Sequence, residues 1–133
     1  GPGLPVFSRQ GLLSGSNIPA ERLLRFAVVE VDAAGFMRRV LEKPTPADVA
    51  ALPEPVGVSM NCWRFDRRIF AACRAIGPSV RGELEITDAV QHGIDVLGMR
   101  FRAVLLHAAV LDLSSRHDVA GVAARLQGME VRL

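Results

Sequence analysis

The chain has 133 residues, of which 50% are hydrophobic and 23% are charged, and its formal net charge is +2. This composition predicts a packed core in one domain or part of one, and it excludes a disordered chain. No apolar run approaches the roughly 18 residues of a transmembrane helix, and the first residues carry no signal peptide, so we expect a cytoplasmic protein with no membrane partner. The 15 arginines and one lysine are spread along the chain, so we do not expect a nucleic-acid partner.

The first part of the chain predicts a loop-rich lead-in, a hairpin and a short helix. Residues 1–23 are rich in Gly, Pro and Ser, which predicts the lead-in. Two extended runs, 26–32 and 36–43, flank a short turn and predict a β-hairpin. Thr45 followed by Pro46 predicts the start of a helix, which later prolines end.

The second part of the chain alternates predicted strands and helices. The predicted elements are a buried strand over 56–65, a helix after Asp66, a helix over 87–97, a strand over 101–109 and a last helix with a capping box at Ser115 and Asp118. Such alternation predicts an α/β sheet with helices packed on it. We expect residues 24–133 to form a single unit.

Cysteine and histidine spacing indicates no metal or catalytic centre. Cys62 and Cys73 do not have the spacing of a metal site, and Cys73 falls on the apolar face predicted for the helix after Asp66, together with Phe70. We therefore expect both cysteines to be reduced core residues. The three histidines show no paired spacing on a helix.

Three charged segments at predicted element ends are candidates for chemistry. Lys43 is the only lysine and lies at a predicted strand end before a proline. Its ammonium group is suited to binding a phosphate, or it forms an ordinary ion pair at the end of the strand. The segment 81–88 places Glu83 and Glu85 before a Thr/Asp helix start, which is also the pattern of a capped helix entrance. Asp112 lies between apolar residues, so its carboxylate either faces solvent or meets a cation, including a metal ion.

Taken in order, four segments resemble the sugar nucleotidyltransferases, the group that includes glucose-1-phosphate thymidylyl- and uridylyltransferases. The matching segments are 41–44 (Leu-Glu-Lys-Pro), 59–65, 81–89 (Arg-Gly-Glu-Leu-Glu-Ile-Thr-Asp-Ala) and 110–112 (Val-Leu-Asp). The resemblance implies a Rossmann-like α/β sandwich around a mixed sheet, of which residues 24–133 form the second half. The family's glycine-rich nucleotide loop and its first metal-binding aspartate have no match here, and Cys62-Trp63 departs from the family pattern.

The resemblance also implies a reaction and its residues. In that reaction a sugar 1-phosphate attacks a nucleoside triphosphate and pyrophosphate leaves, with Mg²⁺ as cofactor. Lys43 is expected to hold the sugar phosphate, Glu42 to accept hydrogen bonds from sugar hydroxyls, and Asn61 to line the sugar pocket. Asp112 is expected to bind Mg²⁺ together with an aspartate of an N-terminal nucleotide-binding half, and Glu83 and Glu85 to order their loop.

Two readings of this resemblance remain open. In the first, the chain is the sugar-phosphate half of an enzyme and is inactive when isolated, and a homo-oligomer is one of the assemblies open to it. In the second, it is a non-catalytic binding or assembly module that kept the fold.

Overall fold

A computed structural model describes residues 1–130 and confirms the expected α/β class. The strands are β1 (Gly3–Ser8), β2 (Val28–Val31), β3 (Met37–Leu41), β4 (Gly57–Ser59) and β5 (Arg102–Leu106). The helices are α1 (Arg9–Gly15), α2 (Pro46–Ala50), α3 (Ile69–Ala75), α4 (Ile86–Asp95) and α5 (Asp118–Leu126), with a 3₁₀ helix over Ala20–Arg25. The last three residues of the predicted unit 24–133 lie outside the described residues.

All five strands belong to one mixed sheet in the order β3-β2-β4-β1-β5. Strand β1 is antiparallel to β4, with Phe7 opposite Val58, and parallel to β5, with Gly3 opposite Arg102. A mixed sheet with helices is compatible with the Rossmann-like fold that the resemblance implies. No described helix has the length and hydropathy needed to cross a membrane.

The predicted loop-rich lead-in over residues 1–23 is wrong, because this segment contains β1, α1 and the 3₁₀ helix. Its glycines and prolines predicted turns, but alternate residues of β1, namely Leu4, Val6 and Ser8, are buried between two partner strands. The Ser8 hydroxyl then accepts a hydrogen bond from the Gly11 N–H at 3.1 Å and caps α1. This segment therefore supplies an interior strand of the sheet rather than an appendage to it.

The predicted hairpin is confirmed in β2 and β3, which pair from Val28 opposite Leu41. Its turn is held by the Asp32 carboxylate, which accepts hydrogen bonds from the N–H groups of Ala34 and Phe36, both at 2.9 Å. These local bonds hold the turn. The Ala103 N–H of β5 adds a bond to the Gly35 carbonyl oxygen at 3.0 Å.

The predicted start of α2 is confirmed as a reciprocal capping box. The Thr45 hydroxyl accepts from the Asp48 N–H at 3.1 Å, and the Asp48 carboxylate accepts from the Thr45 N–H at 2.8 Å. Pro46 occupies the first turn, where its missing N–H has no cost.

Two hydrophobic clusters lie on the two faces of the sheet, since neighbouring strand residues such as Val28 and Val29 belong to different clusters. The first, which we call the α4-side core, joins β1 to α3 and α4 and contains Phe101, which is completely buried. The second, the α1-side core, joins Leu12 of α1 to β2 and β4. Helices α3 and α4 therefore pack on one face of the sheet and α1 packs on the other.

Three local expectations need correction. The strand predicted over 56–65 ends at Ser59, because Asn61 has a positive φ of 55° that leaves the extended conformation. Cys62 and Cys73 are exposed rather than buried in the core. Phe70 is 63% exposed, because α3 is rotated so that Ile69 and Ala72 enter the core instead.

Candidate functional site

The Lys43 segment begins where β3 ends at Leu41. Lys43 is exposed and has φ 44°, a conformation that a residue with a Cβ seldom adopts. The following residue, Pro44, is buried and favours an extended conformation at the position before it, which Lys43 does not have. The ammonium group is therefore presented from a strained turn at the end of a strand.

Glu42 connects this turn to the 81–88 segment. Partial burial raises the pKa of its carboxyl group, and the negative charge of Glu85 raises it further. Thr87 and the positive charges of Arg81 and Lys43 counteract the rise. The structure thus brings together two segments that lie about forty residues apart in the sequence.

The 81–88 segment is held by its own ion pairs. Arg81 contacts the Glu85 carboxylate with two guanidinium nitrogens, one of them Nε at 2.9 Å, and Glu83 lies 3.5 Å from the same guanidinium. The Ser79 hydroxyl donates to Glu85 at 3.2 Å. These bonds, with that to Arg81 first, lower the pKa of Glu85. The ion pairs are compatible with the loop-ordering role expected for Glu83 and Glu85.

Thr87 is buried in the first turn of α4, beside the Glu42 carboxyl group. Its hydroxyl oxygen has no hydrogen bond of regular geometry within the described part of the chain. The Glu42 carboxyl group is nevertheless close enough for Thr87 to lower its pKa, so the hydroxyl has a polar neighbour but no well-formed hydrogen bond. The Thr87 hydroxyl therefore makes the region between Glu42 and α4 polar.

Asn61 lies beyond the end of β4 and, like Lys43, has a positive φ, here 55°. Its backbone N–H donates to the Ser59 hydroxyl at 3.2 Å, and its side-chain oxygen lies 3.4 Å from the Trp63 indole nitrogen. The Asn61 side chain is exposed, and its amide nitrogen has no hydrogen bond to other described residues. The amide group is thus available to a ligand.

Asp112 belongs to a cluster of charges held by Arg22. The Asp112 carboxylate oxygen Oδ2 lies 3.1 Å from Arg22 Nη1 and accepts from the Ser114 hydroxyl at 2.6 Å. The Asp112 backbone is held by Asn17, through bonds of 2.7 Å to its N–H and its carbonyl oxygen. The Asp112 carboxylate therefore binds a cation, as one of the two alternatives predicted, and in this structure that cation is the guanidinium group of Arg22.

The same Arg22 binds a second carboxylate, that of Asp118. Both terminal nitrogens of Arg22 lie 3.0 Å from Asp118 Oδ1, and the other oxygen accepts from the N–H groups of Ser114 and Ser115 at 3.2 and 2.8 Å. The hydrogen bond from Arg22 is the main cause that lowers the pKa of Asp118 and raises that of Arg22. Sequence reasoning missed this role for Arg22, because its partners lie 90 and 96 residues away.

The predicted site residues lie in three places. Glu42 and Lys43 lie beside α4, Asn61 follows β4 and is bonded to Trp63, and the partners of Asp112 come from the 3₁₀ helix and from α5. No hydrogen bond or ion pair between described residues joins these three places directly. Within residues 1–130, no group of three His, Cys, Asp or Glu side chains is placed to hold a metal ion.

Comparison with known proteins gives several relatives with one kind of name. No protein-family model matches the chain. Glucose-1-phosphate thymidylyltransferase of Streptomyces antibioticus is 48% identical over 71 residues, which are 53% of this chain and 18% of that protein. The protein of the same name from Streptomyces griseus is 39% identical over 98 residues, 73% of this chain and 25% of that protein.

A nucleotidyltransferase of a different name is a further relative. The low-salt glycan biosynthesis nucleotidyltransferase Agl11 of Haloferax volcanii is 35% identical over 69 residues, 50% of this chain and 17% of that protein. The chain thus corresponds to between a sixth and a quarter of the length of these relatives. The chain is thus the counterpart of one part of these longer proteins. Together with the segments identified in the sequence, these matches show that it belongs to the sugar nucleotidyltransferase family.

Proposed function

We propose that the chain is the sugar-phosphate-binding part of an enzyme that transfers a nucleotidyl group from a nucleoside triphosphate to a sugar 1-phosphate. The observation that carries the proposal is the packing of the end of β3 against α4, where the Val40 N–H donates to the Gln91 side-chain oxygen at 3.0 Å and Glu42 lies beside Thr87. Two of the family-like motifs converge there, around a buried polar group, Thr87. The names of the relatives support the same reaction.

Lys43 is the residue proposed to hold the sugar phosphate. It is the only lysine, it is exposed, and it forms no ion pair within hydrogen-bonding distance among residues 1–130. A compact ammonium charge suits a phosphate group. Glu42 would accept hydrogen bonds from sugar hydroxyls, and the exposed amide of Asn61 would line the sugar pocket.

Catalysis of the proposed reaction depends on positioning the two substrates more than on covalent bonds to the protein. A phosphate oxygen of the sugar phosphate attacks the α-phosphorus of the nucleotide, the bond to the leaving oxygen breaks, and pyrophosphate departs. In this proposal Lys43 fixes the attacking phosphate and neutralises part of its charge, while Glu42 and Asn61 orient the sugar. Residues that bind the triphosphate would come from the N-terminal half that the resemblance implies.

The expected Mg²⁺ site receives weaker support. Asp112 is the proposed ligand, but its Oδ2 is already engaged by Arg22 and Ser114, and the described residues supply no group of three ligands. The residues described here therefore do not fit a complete Mg²⁺ site. No step of the proposed mechanism depends on this ion.

The guanidinium of Arg22 also favours a second candidate function. If Arg22 neutralises Asp112 permanently, the chain is a non-catalytic binding or assembly module that kept the fold. The ion pair of 3.1 Å, with side chains only 18% and 17% exposed, is the specific observation in its favour. The two candidates differ in whether Lys43 binds a sugar phosphate.

The test uses the single lysine as a reporter. Protein labelled with ¹⁵N only at lysine gives one backbone amide signal, that of Lys43, because the sequence contains no other lysine. We expect glucose 1-phosphate to shift this signal in a saturable manner. Calorimetry should then show binding weakened by roughly 10- to 100-fold in Lys43→Ala, because a charge-assisted contact is lost.

The matched control is Arg74→Ala, which removes an exposed cation from α3. This variant should bind glucose 1-phosphate like the unmodified chain. Equal affinities for Lys43→Ala and Arg74→Ala would show that Lys43 is not the phosphate-binding residue. A Lys43 signal that stays unchanged up to about 5 mM glucose 1-phosphate would favour the non-catalytic module.

A further inference from the structure

The cluster around Arg22 contains a guanidinium group where the resemblance implies a metal ion. Asp112, the residue expected to bind Mg²⁺, lies there with a second carboxylate, that of Asp118. Their side chains are only 17% and 7% exposed, and carboxylates buried to this extent need a cation. Since residues 1–130 offer no group of three metal ligands, the structure does not favour a metal ion as that cation.

A single nitrogen atom of Arg22 bridges the two carboxylates. Arg22 Nη1 lies 3.1 Å from Asp112 Oδ2 and 3.0 Å from Asp118 Oδ1. Arg22 Nη2 lies 3.0 Å from the same oxygen of Asp118 and fixes the plane of the guanidinium group. A metal ion that joined the two carboxylates would need the space that Nη1 fills.

The other bonds of the cluster leave few carboxylate oxygens for a metal ion. Asp112 Oδ2 also accepts from the Ser114 hydroxyl at 2.6 Å. Asp118 Oδ2 accepts from the N–H groups of Ser114 and Ser115, and from the Ser115 hydroxyl at 3.0 Å. Only Asp112 Oδ1 accepts no hydrogen bond from the described part of the chain. A divalent ion would gain this one oxygen and would lie beside a positive guanidinium group, which repels it.

Neighbouring bonds hold Arg22 and Asp112 together independently of their charges. The Asn17 side chain bonds both the N–H and the carbonyl oxygen of Asp112 at 2.7 Å. The Ser16 hydroxyl accepts from the Val110 N–H at 2.8 Å. The Arg22 N–H donates to the carbonyl oxygen of Pro19 at 2.9 Å, within the turn that starts the 3₁₀ helix. The segment that carries Arg22 is therefore fixed against the segment that carries Asp112.

We propose that the Arg22 guanidinium group is the resident cation of Asp112 and Asp118, and that it keeps divalent metal ions off Asp112 in this chain. The two carboxylates then join the 3₁₀ helix to α5 as a structural ion-pair cluster. The proposal does not involve Lys43, and its test uses no sugar phosphate. It can therefore fail while the proposed sugar-phosphate binding holds, and the reverse is also true.

Mn²⁺ is the probe for the test, because it takes the same oxygen ligands as Mg²⁺ and free Mn²⁺ is measured by electron paramagnetic resonance. We expect the unmodified chain to bind Mn²⁺ no more tightly than Asp112→Asn does. Arg22→Gln removes the guanidinium charge and frees both carboxylates, so it should bind Mn²⁺ at least about tenfold more tightly than the unmodified chain. Adding Asp112→Asn to Arg22→Gln should abolish this gain. Mn²⁺ should also raise the melting temperature of Arg22→Gln, because it binds the folded state.

Arg25→Gln is the matched control, because it removes an exposed cation from the same 3₁₀ helix. It should bind Mn²⁺ like the unmodified chain, and equal Mn²⁺ affinities for Arg22→Gln and Arg25→Gln would overturn the proposal. The unmodified chain keeps the test decisive if Arg22→Gln does not fold. Mn²⁺ bound by the unmodified chain with a Kd below about 1 mM, and lost in Asp112→Asn, would show that Arg22 does not exclude the metal.

Discussion

The positive φ of Lys43 leads to a prediction that separates backbone strain from charge. The variant Lys43→Gly removes both the ammonium group and the Cβ, whereas Lys43→Ala removes the ammonium group and keeps the Cβ. If φ 44° is a strained conformation retained for presenting the ammonium group, glycine should stabilise the fold while both variants lose the sugar phosphate.

The magnitude follows from two opposing effects. A positive φ costs a residue with a Cβ roughly 1–2 kcal/mol, and glycine avoids this cost. Glycine also gives the unfolded chain more freedom, which offsets roughly 0.5–1 kcal/mol of that gain. The expected net increase in the free energy of unfolding is therefore about 0.5–1 kcal/mol for Lys43→Gly. Because alanine keeps the Cβ, Lys43→Ala should stay near the unmodified chain.

Urea unfolding followed by Trp63 fluorescence measures this difference, since the indole is packed on Phe65 and Phe101. With an m-value of about 2 kcal/mol/M, the midpoint of Lys43→Gly should rise by roughly 0.3–0.5 M. Asn61→Gly provides a comparison, because Asn tolerates positive φ better than Lys and should gain less. If Lys43→Gly is no more stable than Lys43→Ala, the strain argument is wrong.

Two further predictions concern acid stability and activity. Because Arg22 lowers the pKa of Asp118 in the folded state, the ion pair stabilises the fold above the unfolded-state pKa of about 4 and is lost as the pH falls through the folded-state value. Asp118→Asn should therefore unfold more easily at pH 7, and its difference from the unmodified chain should shrink below about pH 4 in melting curves. The isolated chain should release no pyrophosphate from a sugar 1-phosphate and a panel of nucleoside triphosphates, because the motifs of the triphosphate site are not in this sequence; measurable release would contradict the half-site interpretation.

The sequence predicted those elements whose signals are local. The turn of the β2–β3 hairpin and the capping box of α2 contain bonds between residues at most four positions apart, such as Asp32 to Phe36 and Thr45 to Asp48. The pattern of residue types was therefore sufficient for both. The α/β class followed from the alternation of such segments.

Elements that depend on distant partners could not be predicted in the same way. Strand β1 has the composition of a loop, and only pairing with β4 and β5 makes it a strand. The rotation of α3 is set by the side chains that fit the α4-side core, so Phe70 turns outward although the helical pattern predicted it inside. Tertiary packing decided both cases.

The same distinction applies to the candidate sites. The order of the motifs predicted that Glu42 and Lys43 bind the substrate. That Glu42 lies beside Thr87 of α4 is seen only in the structure. Arg22 has no feature in the sequence that identifies it as the partner of Asp112.

The interior position of β1 has a consequence for how the chain folds during synthesis. Its partner in β5 is about a hundred residues further along, with Gly3 opposite Arg102, and the pairing is parallel. Strand β1 must therefore wait for β5 before this sheet is complete. Contacts this distant in sequence carry a large loop-closure entropy and make folding slow. Until β5 leaves the ribosome, the edge of β1 that pairs with it stays open, and such unpaired edges make partly folded chains prone to aggregation.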